Sequence, residues 1–203
     1  MKTIDIERGV LRYFLKYRYP MLNSYIFDWE SDFFCISKSG YSYEIEIKVS
    51  RSDFLSDQKN KKDKYRILEA SKPFVKKGFQ QYNGQNIKDG KKTWFSYSSF
   101  GWDKVPIRTS IKFIFPDKLR PNKFIYACPE NMISEDEIPD WAGLLYVREN
   151  KVGYSIYHKY IPMLIKQPKF LHRNKNDKLK DILHKKYMWD YKNKIQKQLL
   201  DIG

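Results

Sequence analysis

The run from Asp32 to Asp57, D-F-F-C-I-S-K-S-G-Y-S-Y-E-I-E-I-K-V-S-R-S-D-F-L-S-D, restricts what this chain can fold into more than any other stretch. Lys38-Ser39-Gly40 is a turn signal between two strand-like apolar runs, so Tyr41 to Ser50 reads as the antiparallel partner of the run before it. On that second strand Glu44, Glu46 and Lys48 alternate with Ile45, Ile47 and Val49. A period of two sends the charged set to one face and the apolar set to the other. Ser50 or Ser52 can then N-cap a helix that carries Asp53 in its first turn, where the helix dipole favours negative charge.

The remainder is strongly cationic. Lys+Arg number 39 against 24 Asp+Glu in 203 residues, a formal charge of +15, which makes a polyanion the first partner to consider. The length suits one core rather than several domains. Cys35 and Cys128 both lie in apolar, strand-like runs, as buried free thiols do, and the expected setting is a reducing cytoplasm. No run approaches the roughly 18 apolar residues of a membrane span, and the Met1 segment lacks the apolar core of a signal peptide, so no membrane partner is expected.

In chain order, Ile4 to Lys16 reads as a helix with Glu7, Val10, Leu11 and Phe14 along one face, which leaves Glu7 at the edge of the apolar stripe. Tyr25 to Ser37 reads as one strand, on which Asp28, Glu30 and Asp32 share a parity. The helix after Ser50 is expected to reach about Ala70. Its middle is a lysine run, either a solvated face or a row of phosphate contacts that includes Lys59 and Lys62. Lys72 to Lys104 mixes seven lysines with eight aromatics, without helical period, and reads as loops with one or two short hairpins. Lysines beside aromatics suit a nucleic-acid strand, which singles out Lys91, Lys92 and Trp94; aromatics tucked onto the core are the other reading.

Strands resume at Arg108 to Phe115, Phe124 to Cys128, Ala142 to Val147 and Tyr154 to Tyr160, with a turn at Pro116 to Pro121 and an acidic patch between Pro129 and Trp141. A basic amphipathic helix capped by Asp177 is expected to end the chain, over about 177–200. His158, His172 and His184 have no metal-ligand spacing.

Paired in a hairpin, Asp32, Glu46 and Lys48 can converge as two carboxylates and an ammonium, the set that metal-assisted phosphodiester hydrolysis uses. Glu-x-Lys on a strand also arises from any amphipathic strand with a wet face. Glu44 reads as a solvated carboxylate near the turn. Trp29-Glu30-Ser31-Asp32, followed by Tyr43 to Asp57, resembles the PD-(D/E)XK nuclease superfamily, and within it the MmcB-like DNA repair and phage-encoded branch, over roughly Glu7 to Tyr65. Ile138 to Leu144 resembles a segment that opens a later strand in such proteins.

The resemblance implies an α/β (α+β) restriction-endonuclease-like fold, a mixed central sheet flanked by helices in a single domain, with the lysine-rich stretch 72–104 as an insertion. It implies Mg2+ or Mn2+ at Asp32 and Glu46, with Glu7 as an added acid, Lys48 as the catalytic lysine, and DNA as substrate with RNA not excluded. Arg51 is a candidate phosphate contact. Tyr65 stands where relatives often carry a histidine, and Ser31 precedes Asp32 in place of proline. A nucleic-acid-binding module without turnover, such as a structural or regulatory phage protein, is the alternative; a protein-binding inhibitor of host defence is a third.

Overall fold

The computed structural model describes residues 1–79, 85–88, 91–98, 101–104, 109–150, 159–175 and 179–189, with residues 76–112 through their backbone alone. In chain order the elements are α1 (Thr3–Tyr13), β1 (Arg18–Tyr25), β2 (Glu30–Ile36), β3 (Ser42–Ile47), α2 (Arg51–Asn60) and α3 (Lys62–Glu69). Then come β4 (Phe74–Phe79), β5 (Gln85–Lys88), β6 (Lys91–Ser98), β7 (Gly101–Lys104) and β8 (Thr109–Ile114). The chain continues through α4 (Pro116–Leu119), β9 (Lys123–Pro129), a 3-10 turn at Glu135–Glu137, β10 (Gly143–Glu149) and β11 (Tyr160–Lys166). A further helix covers residues 179–189.

The chain divides into two compact units, one of residues 1–71 and 116–203, the other of residues 72–115. The larger is a mixed α/β structure on a six-stranded sheet ordered β1-β2-β3-β9-β10-β11. The β1-β2-β3 meander is antiparallel, β3, β9 and β10 run parallel, and β11 closes the far edge antiparallel. Each edge strand carries a proline, Pro20 in β1 and Pro162 in β11, a residue that a central strand does not tolerate because it cannot donate to the ladder.

Helix α1 lays Ile6, Val10 and Phe14 on one face of the sheet against Phe33, Ile45, Ile47, Ile125 and Val147. Gly9 allows this approach: a Cβ there would stand 2.6 Å from a Val147 methyl carbon. On the opposite face Phe54 of α2 and Leu68 of α3 pack on Phe124, Tyr126 and Leu144. The helix at 179–189 buries Leu179 and Leu183 against Met21, Phe34 and Ile36. Both cysteines are buried and free.

Several expectations are corrected. The buried stripe of α1 is Ile6, Gly9, Val10 and Phe14, and Leu11 is exposed. The single strand expected over Tyr25 to Ser37 is two strands, joined by bends that include Asp28, so the three acids Asp28, Glu30 and Asp32 do not form one face. The helix after Ser50 is interrupted at Lys61, whose backbone (φ −97°, ψ 38°) separates α2 from α3.

The inserted unit runs over residues 72–115 rather than 72–104, because β8, expected as a core strand, pairs with β4; within it β5, β6 and β7 pair as short hairpins, as expected. Pro116 to Leu119 is helical rather than a turn, and Arg120 after it donates to the Leu68 and Ala70 carbonyls at 2.7 and 2.8 Å, at the end of α3. The last strand is Tyr160–Lys166; most of the run 154–160 expected there lies outside the described residues, as do Asp177 and residues 190–200 of the final helix.

Candidate functional site

The β2–β3 register pairs Phe34 with Glu44 and Phe33 with Ile45, so one further step sets Asp32 opposite Glu46. In place of another ladder bond, the Asp32 carboxylate accepts the Ile47 N–H at 2.7 Å. Glu44 and Glu46 stand beside Phe124 and Tyr126 of β9, beneath α2 and α3, and the Lys48 N–H donates to the Ala127 carbonyl at 2.9 Å. Glu46 and Lys48 therefore come off the end of a central strand with fixed direction. Ser50 caps α2 by accepting the Asp53 N–H at 3.2 Å, which aims the first turns of that helix at the strand end.

Ion pairs link these groups. The Lys48 ammonium lies 2.9 Å from Glu46 and 3.3 Å from Asp57. Lys61, at the break between α2 and α3, bridges the same two carboxylates at 2.6 and 2.7 Å. Lys64 reaches Glu46 at 2.5 Å and Glu44 at 2.8 Å, and the Trp29 indole N–H donates to Glu44 at 2.8 Å. Tyr65 donates to Asp57 at 2.6 Å and accepts from the Tyr126 hydroxyl at 2.9 Å. Tyr65 thus contributes a hydroxyl that steadies Asp57.

The two central carboxyls titrate in opposite directions. Burial and the nearby Glu46 charge push Asp32 up to about 6. Burial also works against Glu46, but Lys64, Lys48 and Lys61 outweigh it and hold that carboxyl at about 2. Burial raises Glu44, opposed by Lys64, and one Glu44 oxygen is buried without a hydrogen-bond partner. Lys64 is buried too, yet Glu44 and Glu46 raise its pKa.

A cleft of about 440 Å³ opens onto this cluster, and Glu7, Asp32, Glu46, Lys48, Asp57 and Lys61 are among the residues that line it. Five carboxylates (Asp32, Glu44, Glu46, Asp57 and Asp53, 4.0 Å from Lys48) face three ammonium groups (Lys48, Lys61, Lys64), a formal excess of two negative charges when all are ionised. Asp32 is the member that forms no ion pair with a lysine among the described residues, although the Lys48 and Lys61 charges oppose the rise that burial gives its pKa. That imbalance fits a cation at Asp32 and Glu46. Among the described residues no group of three or more His, Cys, Asp or Glu side chains is arranged to hold a metal ion. An ion at this position would rest on two carboxylates and several of its own waters, as Mg2+ does.

The structure brings Asp32, Glu46, Lys48 and Glu7 to one cleft and leaves Arg51, Lys59 and Lys62 away from its lining. The Arg51 guanidinium pairs with Glu137, and Lys59 and Lys62 are exposed on α2 and α3. Lys91, Lys92 and Trp94 lie on β6 of the inserted unit, where Trp94 pairs with Gln85 and Lys92 with Ile87; their side chains lie outside the described residues.

Glu44, expected to be solvated, is fully buried beneath Lys64 and Trp29, because α3 covers the strand up to that point. Lys61, Lys64, Asp57 and Trp29 were not anticipated as members of the site. The signal for Lys64 is its spacing of three and four from Ile67 and Leu68, the buried stripe of α3; for Lys61 it is the four-residue step from Asp57.

No protein-family model and no curated protein matches this chain. Among solved structures it is similar to a protein of unknown function from Silicibacter pomeroyi, with TM-score 0.54 and 13% identity over 100% of this chain and 94% of that one. At that identity the likeness concerns the fold alone. No helix among the described residues is long and apolar enough to cross a membrane.

Proposed function

We propose that this chain is a Mg2+- or Mn2+-dependent nuclease that hydrolyses DNA phosphodiesters, on a restriction-endonuclease-like fold of the PD-(D/E)XK type. The observation that carries the reading is the convergence of Asp32, Glu46 and Lys48 on one cleft, with Asp32 left short of a cationic partner. The mixed sheet with helices on both faces is the architecture that the sequence resemblance implies. The formal charge of +15 favours a polyanionic substrate.

Asp32 and Glu46 would hold the ion, with Glu7 in the same cleft. When bound, the ion acidifies a water and offsets charge on the phosphate. The chain's own groups do the remaining work. Lys48, fixed by Glu46 and Asp57, presents an ammonium that can orient the attacking water or meet the charge that develops on phosphate oxygens. Asp57, held by Tyr65, keeps Lys48 and Lys61 aligned.

A second reading, nucleic-acid binding without turnover, is favoured by a different observation: Glu46 already pairs with three ammonium groups. Supercoiled plasmid and labelled single strands incubated with Mg2+, Mn2+ or EDTA separate the two. The nuclease reading expects ion-dependent cleavage that falls at least about 100-fold in Lys48→Ala and Glu46→Gln while circular dichroism stays native. Undiminished cleavage in both variants would sink the site assignment. Binding without cleavage under every ion would leave the second reading.

A further inference from the structure

A second groove, of about 550 Å³, runs between the edge strand β1 and the helix at 179–189. Leu22, Asn23, Ser24 and Tyr25 form one wall and Lys185, Lys186 and Trp189 the other, so among the described residues the lining holds two cations and no carboxylate. Both aromatics present their rings to solvent, Tyr25 at 61% exposure and Trp189 at 66%, although neither is needed by the apolar clusters of the core. The Lys186 ammonium donates to the Tyr25 carbonyl, which joins the two walls, and Lys185 is exposed. Asn23 lines this groove and also the cleft of Asp32 and Glu46. The two depressions thus meet at one residue, whose backbone takes the left-handed conformation (φ 47°) inside an edge strand.

From this juxtaposition we infer that the groove binds single-stranded nucleic acid and leads it past Asn23 to the candidate cleft. Cationic side chains beside open aromatic residues match a polyanion with free bases: lysines meet phosphates, and rings stack on bases that a duplex would keep stacked on each other. The charge complementarity and the continuity with the cleft select a nucleic-acid strand over a peptide added to the β1 edge. Strand delivery rests on the nuclease reading; strand binding does not.

The test is fluorescence anisotropy of a labelled dT oligonucleotide in EDTA, beside a duplex of the same length, with wild type, Trp189→Ala, Trp189→Tyr and Lys185→Gln/Lys186→Gln. Loss of one stacked base is expected to weaken the oligonucleotide by at least about fivefold in Trp189→Ala, while Trp189→Tyr keeps most of the affinity. The double lysine variant is expected to lower the salt slope of log Kd by about 1.4, as for two phosphates on a single strand. Both tryptophan variants alter an exposed side chain, so they stay folded together.

Unchanged oligonucleotide binding in Trp189→Ala and the lysine variant would overturn the inference, as would equal losses for Ala and Tyr at position 189. Strand binding that follows the pattern above without cleavage under any ion keeps the strand-binding groove and removes the nuclease reading together with delivery to the cleft. Ion-dependent cleavage with binding indifferent to Trp189 does the reverse.

Discussion

Strand β3 sends equally buried side chains to two faces that are held together by different physics. Ile45 and Ile47 meet Val10 and Phe33 on the α1 face, whereas Glu44 and Glu46 meet three lysines on the α2–α3 face. Glu44, Glu46 and Ile45 are each 0% exposed, so burial does not distinguish the faces; chemistry does. Dispersion contacts on the apolar face are many and individually small. On the charged face each group depends on a named partner, and removal of one leaves another charged and buried. The apolar face should therefore yield gradually to substitution and the charged face abruptly.

The largest effect is expected at Lys64, 4% exposed and shared by Glu44 and Glu46. Lys64→Met should cost about 3–5 kcal/mol in urea denaturation, the cost of a buried carboxylate stripped of its partner. The double variant Glu44→Leu/Lys64→Met removes charge from both sides and should recover most of that loss. A double variant as unstable as the single would show that packing, not charge pairing, governs this face.

On the apolar face the sharpest probe is Gly9→Ala. The added methyl meets Val147 at 2.6 and 2.8 Å, so α1 must lift or the valine must turn, and overpacking of this kind costs about 1–3 kcal/mol. A shift of the urea midpoint with unchanged slope is the expected result. A midpoint equal to that of the parent would mean that α1 sits more loosely on β10 than the structure describes.

How far the two faces could be read beforehand follows from the same contrast. Alternation along Tyr43 to Val49 separates the faces without any coordinates, and the Lys38-Ser39-Gly40 turn pairs β2 with β3, so Asp32, Glu46 and Lys48 were legible together. Gly40 does take positive φ (89°) in that turn, and Ser50 is the cap. Edge strand β1 was hidden because Pro20 and its polar neighbours resemble a helix terminator, whereas an edge strand accepts both. Lys64 was hidden because a lysine run ordinarily means solvent. Only the carboxylates brought under α3 by a different part of the chain make its burial favourable.

Within the charged face, Asp32 and Glu46 should respond to pH in opposite senses. Asp32 binds its proton more tightly folded, at about 6 against 3.8, so between those values the native state holds more protons and stability falls as pH rises. Glu46 moves from 4.5 to about 2, so its stabilising contribution is complete above about 4.5 and is lost as pH falls toward 2. Asp32→Asn keeps an acceptor for the Ile47 N–H but no longer ionises. Relative to wild type it should gain about 2 kcal/mol between pH 4 and pH 7 in urea titrations. A difference between the two proteins that stays constant across that range would place the titration elsewhere.

The smallest change in stability, and the most direct probe of what the cleft holds, is expected at Lys61. Its side chain is 40% exposed, so solvent screens its pairs with Glu46 and Asp57, and Lys61→Met should cost no more than about 1 kcal/mol. The same change removes an ammonium from a Glu46 oxygen that a divalent ion would use. If Asp32 and Glu46 hold an ion, Mn2+ should raise the melting temperature of the wild type and raise that of Lys61→Met further, because a ligand that binds only the native state stabilises it more as its affinity rises. Asp32→Asn should abolish the shift in both backgrounds. Melting that does not respond to Mn2+ in any of the four proteins would make the lysines the permanent counter-ions of this face, and the charged half of β3 would then be structural in the same sense as the apolar half.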